Sequence, residues 1–389
     1  MKKILIGDLK EGAIFSEPVY IEGNNLLVPA GVAVRKKDII RLKSWGFESV
    51  VTNGEIIPAE VIEKAAEEKN AKKTAKTAPA HHPESGEAKG AYRSYLDLIE
   101  RMDEVCNNIA SGVSVEARAI DGITGRLLQA VREQRNSFIS YILGGEVEGQ
   151  SMAKNLVNTA ILSALIAHDM KLPNHKIMQI VTGALLHDVG MLRMPKEIVE
   201  KKGGLSEAEL QRIQSHPLYT YKIVNKELLY PEDVAVIVLQ HHERWDGEGY
   251  PRRVSGTSID MGARIVSVAD AFEAMVSQKP YRNSMMGYQA MKNLLSDNLR
   301  RFDPDVIKAF IQTMGIYPIG SIILLNNGAM ARVIDVQATA PLRPKIRILV
   351  DEFGKKFKQE DGEEIDLLVE KSLFIAKAID PKEFADKNA

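Results

Sequence analysis

Cysteine, a surplus of charge of either sign, and long apolar runs are all nearly missing from this sequence of 389 residues. The lone Cys106 rules out an internal disulfide framework and fits a reducing compartment. Lysine and arginine total 51 against 52 acidic residues, a formal net charge of -1, so there is no long basic field of the kind a duplex DNA binder uses. A small anionic ligand stays open, because a local pocket can be positive in a neutral protein. No stretch approaches the ~18 apolar residues that span a bilayer. The opening MKKILIGDLKEG breaks its apolar run at Gly7 and Asp8, which does not suit a signal peptide. The expected location is the cytoplasm, without a transmembrane segment and without a duplex nucleic acid partner; peripheral membrane attachment stays open.

What is present is core material. Apolar residues make up 45% of the chain and charged residues 26%, and the length suits two or three domains. Residues 1–56 read as a small α+β module of short strands and one helix. Val28-Pro29-Ala30-Gly31 suggests a turn, and Ile39, Ile40, Leu42 and Trp45 give Lys37 to Trp45 helical spacing. Residues 57–91, with AAEEKNAKKTAKTAPAHHPESGEAKG at their centre, lack the β-branched and aromatic content of a core and read as a flexible linker. His81 and His82 fall inside it with no ordered partner in view.

From 92 to 314 the spacing is helical. Ala91 to Ile109 and Val115 to Arg132 have amphipathic patterns, and Met152 to Ile166 is apolar on more than one side, as in a helix inside a bundle. Ser206 with Glu209 forms a capping box, and Asp303-Pro304 places a cap before a proline. At about Tyr317 the period changes. Ser321 to Leu325, Asn327-Gly328 and Ala331 to Val336 predict a hairpin, while Ile346 to Val350 and Leu367 to Ile375 supply further strands. Residues 315–389 are thus expected to form a small β-rich appendage.

Four of the eight histidines fall in three short motifs: His187-Asp188, His216 and His241-His242. A carboxylate, Asp270, follows in VADAFEAM. Imidazole and carboxylate together suit Mn, Fe or Zn, and residues this far apart can converge from neighbouring helices into one bundle core. Each piece alone is a common surface or structural feature. However, Ala184-Leu185-Leu186 leads an apolar helix straight into His187-Asp188, where two polar groups would be costly to bury unpaired. The stretch HHERWDGEGYP at 241–251 ends a helix with two ligand types and opens a Gly/Pro-rich loop. Arg244 offers that loop a cation and Tyr250 an aromatic face, a combination suited to a nucleobase attached to phosphate. Trp245 reads better as a pin for the loop.

These motifs resemble the HD-GYP branch of the HD phosphohydrolase superfamily. The resemblance rests on His187-Asp188-Val189-Gly190, His216-Pro217, HHERWDGEGYP, Gly262-Ala263-Arg264-Ile265, Val268-Ala269-Asp270-Ala271-Phe272, Lys279-Pro280-Tyr281-Arg282 and Phe302-Asp303-Pro304. It covers about 145–314. It implies a mainly α fold, an HD-type helical bundle flanked by the small N-terminal α+β and C-terminal β-rich modules. It further implies hydrolysis of cyclic di-GMP to linear pGpG or GMP at a centre of two divalent transition metals, Fe or Mn, by attack of a metal-bridging hydroxide. Asp188 would bridge the metals, with Asp188 and His187 as the catalytic pair. His216, His241 and His242 would hold one metal, and His187 with Asp270 the other. Tyr250 would face a guanine, and Lys279 and Arg282 would approach phosphate or base, alongside Arg244.

The chain departs from that pattern at three positions. Asn155 stands where the family has a histidine, and its amide oxygen is the weaker ligand, so one metal is expected to be held loosely. Ser151 stands where three-metal members have a glutamate, which argues against a third metal. Met191 replaces a lysine after the HD pair, and a cation lost from the transferring group costs several kcal/mol as an order of magnitude. Two functions therefore compete: a cyclic di-GMP phosphodiesterase, and a catalytically weak or inactive cyclic di-GMP receptor that keeps the metal and the GYP loop. Another phosphohydrolase substrate or a scaffold role takes third place. A homodimer, and a signalling partner docked through the flanking modules, are compatible with the chain, though composition specifies neither.

Overall fold

The computed structural model describes residues 2–6, 8–10, 12–13, 15–17, 19–21, 25–28, 34, 39, 42, 49–55, 86–144, 151–201, 203–277, 287–296, 300–358 and 361–379. The chain divides into two compact units, Met1–Ala80 and His81–Ala389.

The first unit holds strands β1 (Lys2–Leu5), β2 (Val19–Ile21), β3 (Asn25–Val28) and β4 (Ser49–Thr52), in the sheet order β1-β4-β2-β3 with every pairing antiparallel. Phe15, Val19, Val34, Leu42 and Val50 pack its core. Ile39 and Leu42 are helical; the rest of the expected 37–45 helix, the turn after Val28 and the histidines His81 and His82 lie outside the described residues.

The second unit begins with α1 (Gly86–Ala110), which starts ahead of the expected Ala91, then α2 (Ala117–Glu133) and α3 (Arg135–Gly144). Helix α2 buries Ile120, Ile123, Thr124, Leu127 and Val131, one stripe at helical spacing. Helix α4 (Met152–Asp169) is buried nearly all round from Leu156 to Ala167, the signature of a bundle centre. Around it stand α5 (Asn174–Leu186) and α10 (Met261–Val276), with α6 (Lys196–Val199), α7 (Glu207–Gln214), α8 (His216–Lys222) and α9 (Glu232–Gln240) between those two in sequence. Helices α11 (Gly287–Ser296) and α12 (Pro304–Met314) close the bundle.

Three helices that carry site residues meet on one side chain, Ile237 of α9. A Cβ at Gly183 of α5 would fall 2.7 Å from Ile237 Cγ2, and one at Gly262 of α10 would fall 2.6 Å from Ile237 Cδ1. Only glycine permits that approach, and it draws α5, α9 and α10 together. A buried polar chain ties α1, α4 and α10 together: Tyr95 Oη donates to Asn158 Oδ1 (2.7 Å), and Asn158 Nδ2 donates to Glu273 Oε1 (3.3 Å).

The C-terminal sheet holds β5 (Ile322–Leu325), β6 (Met330–Asp335), β7 (Lys345–Val350), β8 (Glu364–Asp366) and β9 (Ile375–Ile379), in the order β8-β7-β6-β5-β9, all antiparallel. The predicted hairpin is present, and Asn327 Oδ1 accepts from Ala329 N (3.1 Å) at its tip. Ile323, Leu325, Ala331, Val333, Ile346 and Ile348 form the core face. The Leu367 to Ile375 stretch is not a strand: β8 ends before it and β9 starts at its last residue. The amide of Leu368 is taken by Asp366 Oδ1, those of Val369 and Glu370 by Asp366 O, and that of Ser372 by Glu370 Oε1. Side chains and turns have claimed the donors that a ladder would need. No described helix is long and apolar enough to cross a membrane.

Candidate metal centre

Helix α5 runs apolar to Leu186 and ends on His187, which is buried. The backbone turns at Asp188 into a short 3-10 segment, Val189–Arg193. His216 opens α8, and His241 caps the end of α9. Each of these histidines is held in the same way. His187 Nδ1 lies 2.8 Å from Ala184 O, His216 Nδ1 2.8 Å from Ile213 O, and His241 Nδ1 2.8 Å from Val238 O. A carbonyl only accepts, so Nδ1 carries the proton in all three and Nε2 is left as the free ligand atom of the neutral ring.

Those free nitrogens converge on Asp188. His216 Nε2 lies 3.0 Å and His241 Nε2 3.5 Å from Asp188 Oδ1, and the two nitrogens are 3.4 Å apart. Asp188 Oδ1 is itself buried without a hydrogen-bond donor. His242 joins the group: ligand atoms of Asp188, His216, His241 and His242 all lie within 4.8 Å of one another. Burial holds His241 below its ordinary value and His242 well below it, which keeps both rings neutral. Lone pairs facing lone pairs cannot hydrogen-bond to each other, and a cation is what satisfies them together. The donor set of three imidazoles and a carboxylate therefore fits a divalent transition metal.

The other oxygen of Asp188 faces a different pair. His187 Nε2 lies 3.8 Å from Asp188 Oδ2 and 3.6 Å from Asp270 Oδ1. Burial opposes charge on all three groups, yet the two carboxylates push His187 up to about 9. In return, against the same burial, the histidines hold Asp188 well below the carboxylate range, and His187 holds Asp270 down at about 2. Asp188 and Asp270 keep 34% and 25% of their side chains exposed, so the cluster opens to solvent on the carboxylate side.

The loop after His242 is built to stay. Buried Glu243 accepts from Arg252 N (2.6 Å), and Tyr250 N donates to His242 O (3.2 Å). The Tyr250 ring sits 4.8 Å from the His242 ring at 33°. Trp245 is a pin, as read from the sequence: its N donates to Arg301 O, its O accepts from Gly256 N, and Arg264 lies over its ring. Arg264 in turn pairs with Asp303, the cap of α12, at 2.7 Å. Arg244 is not a free cation here, because Asp246 takes its Nε (3.0 Å) and Nη2 (2.6 Å). Ser151 is the N-cap of α4, accepting from Lys154 N (3.1 Å). Asn155 follows it, half-buried in the first turn of that helix, and Met191 is half-buried in the turn after Asp188. Lys279 and Arg282 lie outside the described residues. Glu243, Asn158 and Glu273 escaped the sequence reading. The signal for Glu243 was an acid directly after two ligands, and for Asn158 and Glu273 it was a polar residue one turn beyond Asn155 and Asp270 respectively.

Residues 145–306 match the HD domain model, and residues 322–387 match the KOW domain associated with HD domains. The cyclic di-GMP phosphodiesterase PdeB of Borreliella burgdorferi is 26% identical over 293 residues, which are 75% of this chain and 77% of that protein. The 3'3'-cGAMP-specific phosphodiesterase 3 of Vibrio cholerae is 35% identical over 161 residues, 41% of this chain and 34% of that protein. Among solved structures, Bd1817, an HDG"Y"P protein from Bdellovibrio bacteriovorus, aligns with a TM-score of 0.48 at 18% identity, covering 79% of this chain and 97% of that one. With its two matched domains and its converging histidines and aspartate, the chain belongs to the HD phosphohydrolase superfamily and is related to the HD-GYP and cyclic di-GMP phosphodiesterase proteins within it.

Proposed function

We propose that this protein is a metal-dependent phosphodiesterase that hydrolyses cyclic di-GMP to linear pGpG or GMP. The observation that carries the reading is the buried, donorless Asp188 Oδ1 set among the free nitrogens of His216 and His241. In this reading His216, His241 and His242 hold one metal and His187 with Asp270 the second. Asp188 would serve both, and Asn155 would be the weak additional ligand of the second. Iron or manganese is the expected pair, with the second ion held more loosely. A bound divalent metal supplies Lewis acidity toward a phosphoryl oxygen and lowers the pKa of coordinated water. The chain's own residues orient: the carbonyl locks keep the imidazoles in one tautomer, and Tyr250 offers a base platform tied to His242. Lys279 and Arg282 complete the ligand contacts in this proposal. The domain boundaries 1–56, 57–91, 92–314 and 315–389 belong to the same reading.

A second reading is supported by Met191, which is no cation in the turn after Asp188, and by the Arg244–Asp246 pair, which occupies the guanidinium of Arg244. It is a receptor that binds the dinucleotide and turns it over slowly or not at all. Chromatography of cyclic di-GMP incubated with anaerobically purified protein, reconstituted with iron or manganese and analysed for metal, separates the two. Metal-dependent pGpG or GMP is expected, abolished by chelation, with 3'3'-cGAMP run alongside. Full metal occupancy without product would overturn the enzyme reading in favour of the receptor. The double substitution Asn155→His, Met191→Lys should raise turnover by about 10-fold or more and leave ligand affinity of similar order. An unchanged rate and unchanged metal content would remove these two positions from the explanation.

A further inference from the structure

One residue outside the ligand set joins the turn that carries Asp188 to the helix that carries His216. Thr220 lies one turn after His216 on α8 and is fully buried. Its Oγ1 donates to His216 O (3.0 Å) and accepts from Gly190 N (3.0 Å), the second residue after Asp188. The two backbones are pressed together at this point. A Cβ at Gly190 would lie 2.5 Å from Thr220 Oγ1 and 2.6 Å from Thr220 N, and it would also collide with His216 O. The hydroxyl is the hinge pin of that contact. It accepts from the amide of Gly190, a buried donor that requires an acceptor.

We propose that Thr220 is a positioning residue for metal binding: its hydroxyl sets the Asp188 carboxylate against His216 Nε2. This rests on the metal-centre reading above. Without the hydroxyl, the Gly190 amide is left unpaired in a dry contact, which is costly enough to displace the turn in search of another acceptor. Asp188 sits two residues away on that turn and moves with it, whereas His216 stays fixed by Ile213 O. The 3.0 Å approach of Asp188 Oδ1 to His216 Nε2 is therefore the distance that opens. His241 and His242 come from α9 and its following loop and are not touched by the change.

The test uses the full-length protein stripped of metal and titrated with Co²⁺, reading affinity by competition with a chelator and geometry by the visible ligand-field spectrum. Thr220→Val keeps the shape and removes the hydroxyl; Thr220→Ser keeps the hydroxyl. The expected result is about a 10-fold loss of Co²⁺ affinity with an altered spectrum in the valine variant. The serine variant should return to within about 3-fold of the parent. Thermal melting of the metal-free proteins accompanies this, since a merely structural role would lower the melting temperature and leave the spectrum unmoved. If parent and valine variant bind Co²⁺ alike with the same spectrum, the role of Thr220 is overturned while the metal centre stands. If the parent binds no Co²⁺, the metal-centre reading itself has failed. Loss in the valine variant without rescue by serine would also overturn the proposal, by assigning the effect to packing.

Discussion

The two oxygens of Asp188 look onto halves of the site that are built on opposite electrostatic plans. Oδ1 meets the Nε2 atoms of His216 and His241, rings whose Nδ1 atoms are held by backbone carbonyls. Oδ2 meets His187, which is drawn toward its charged form by Asp188 and Asp270 together. The first half gathers three imidazoles and a carboxylate oxygen around one point, a donor set for an added cation. The second can supply a proton in place of one. The two ligand sets that the family resemblance separates thus differ in kind, one assembled as a donor set for metal and one in which a histidine and two carboxylates balance one another. The expected consequence is an order of filling, with the His216–His241–His242 side taking metal first and more tightly.

The largest effect expected is at the residue the halves share. Asp188→Asn replaces the one carboxylate that the described residues bring to the Oδ1 side and should lower metal affinity by more than about 100-fold, beyond the 10–100-fold typical of groups that merely support ligands. His187→Gln, on the self-balanced side, should cost about 10-fold and leave one ion in place. Metal content after gel filtration, with competition titration, measures both. Equal losses in the two variants would break the distinction between the halves.

A smaller effect should come from the loop. Tyr250 meets the metal side through its ring, against His242 at 4.8 Å and edge-on to His216 at 6.4 Å, and through its amide on His242 O. Tyr250→Ala should weaken cyclic di-GMP binding by about 10-fold, the scale of one base–aromatic stack, while Co²⁺ affinity stays within about 2-fold. Calorimetric titration of each ligand separately reads this. Unaltered dinucleotide affinity would remove Tyr250 from the base platform, and a parallel fall in Co²⁺ affinity would mean that the loop and the metal wall act as one piece.

The sequence shows elements wherever a local rule decides. The Ser206–Glu209 capping box forms with both of its hydrogen bonds, and the Asn327-Gly328 turn joins β5 to β6. The apolar run of α5 ends in the histidine and aspartate that sit at the site. What it hides depends on conformation that no spacing encodes. Arg244 looks like a cation free for a phosphate until the loop folds Asp246 back onto its guanidinium, two residues away. Leu367 to Ile375 has strand-like residues, and only the turns made by Asp366 and Glu370 show that their amides are already taken. The carbonyl locks are hidden for the same reason: each is a bond to the residue three positions earlier, available to any histidine at a helix end and used only where burial forces it. The ligand types and their division were therefore legible through the family resemblance, and the charge on His187 between two carboxylates was not.

That sorting has a signature in pH. A group whose pKa is higher in the folded than in the unfolded chain stabilises the fold below its unfolded value, and the contribution disappears as pH rises through the folded value. His187 has an ordinary value of 6.5 and is pushed up to about 9 by the carboxylates on either side of it, burial notwithstanding. Protein freed of metal by chelation should accordingly hold its melting temperature up to about pH 6.5 and lose part of it between there and about 9. His187→Gln, which keeps a polar side chain but has no proton to lose, should flatten that alkaline limb. Metal-loaded protein should flatten or reverse it too, because ligands bind metal in their deprotonated forms and rising pH then favours the occupied site. If the metal-free parent and His187→Gln melt in parallel across that range, His187 carries no charge between the two aspartates. The two halves of the site would then be alike in needing a cation, and the order of filling would have to come from the weaker Asn155 ligand alone.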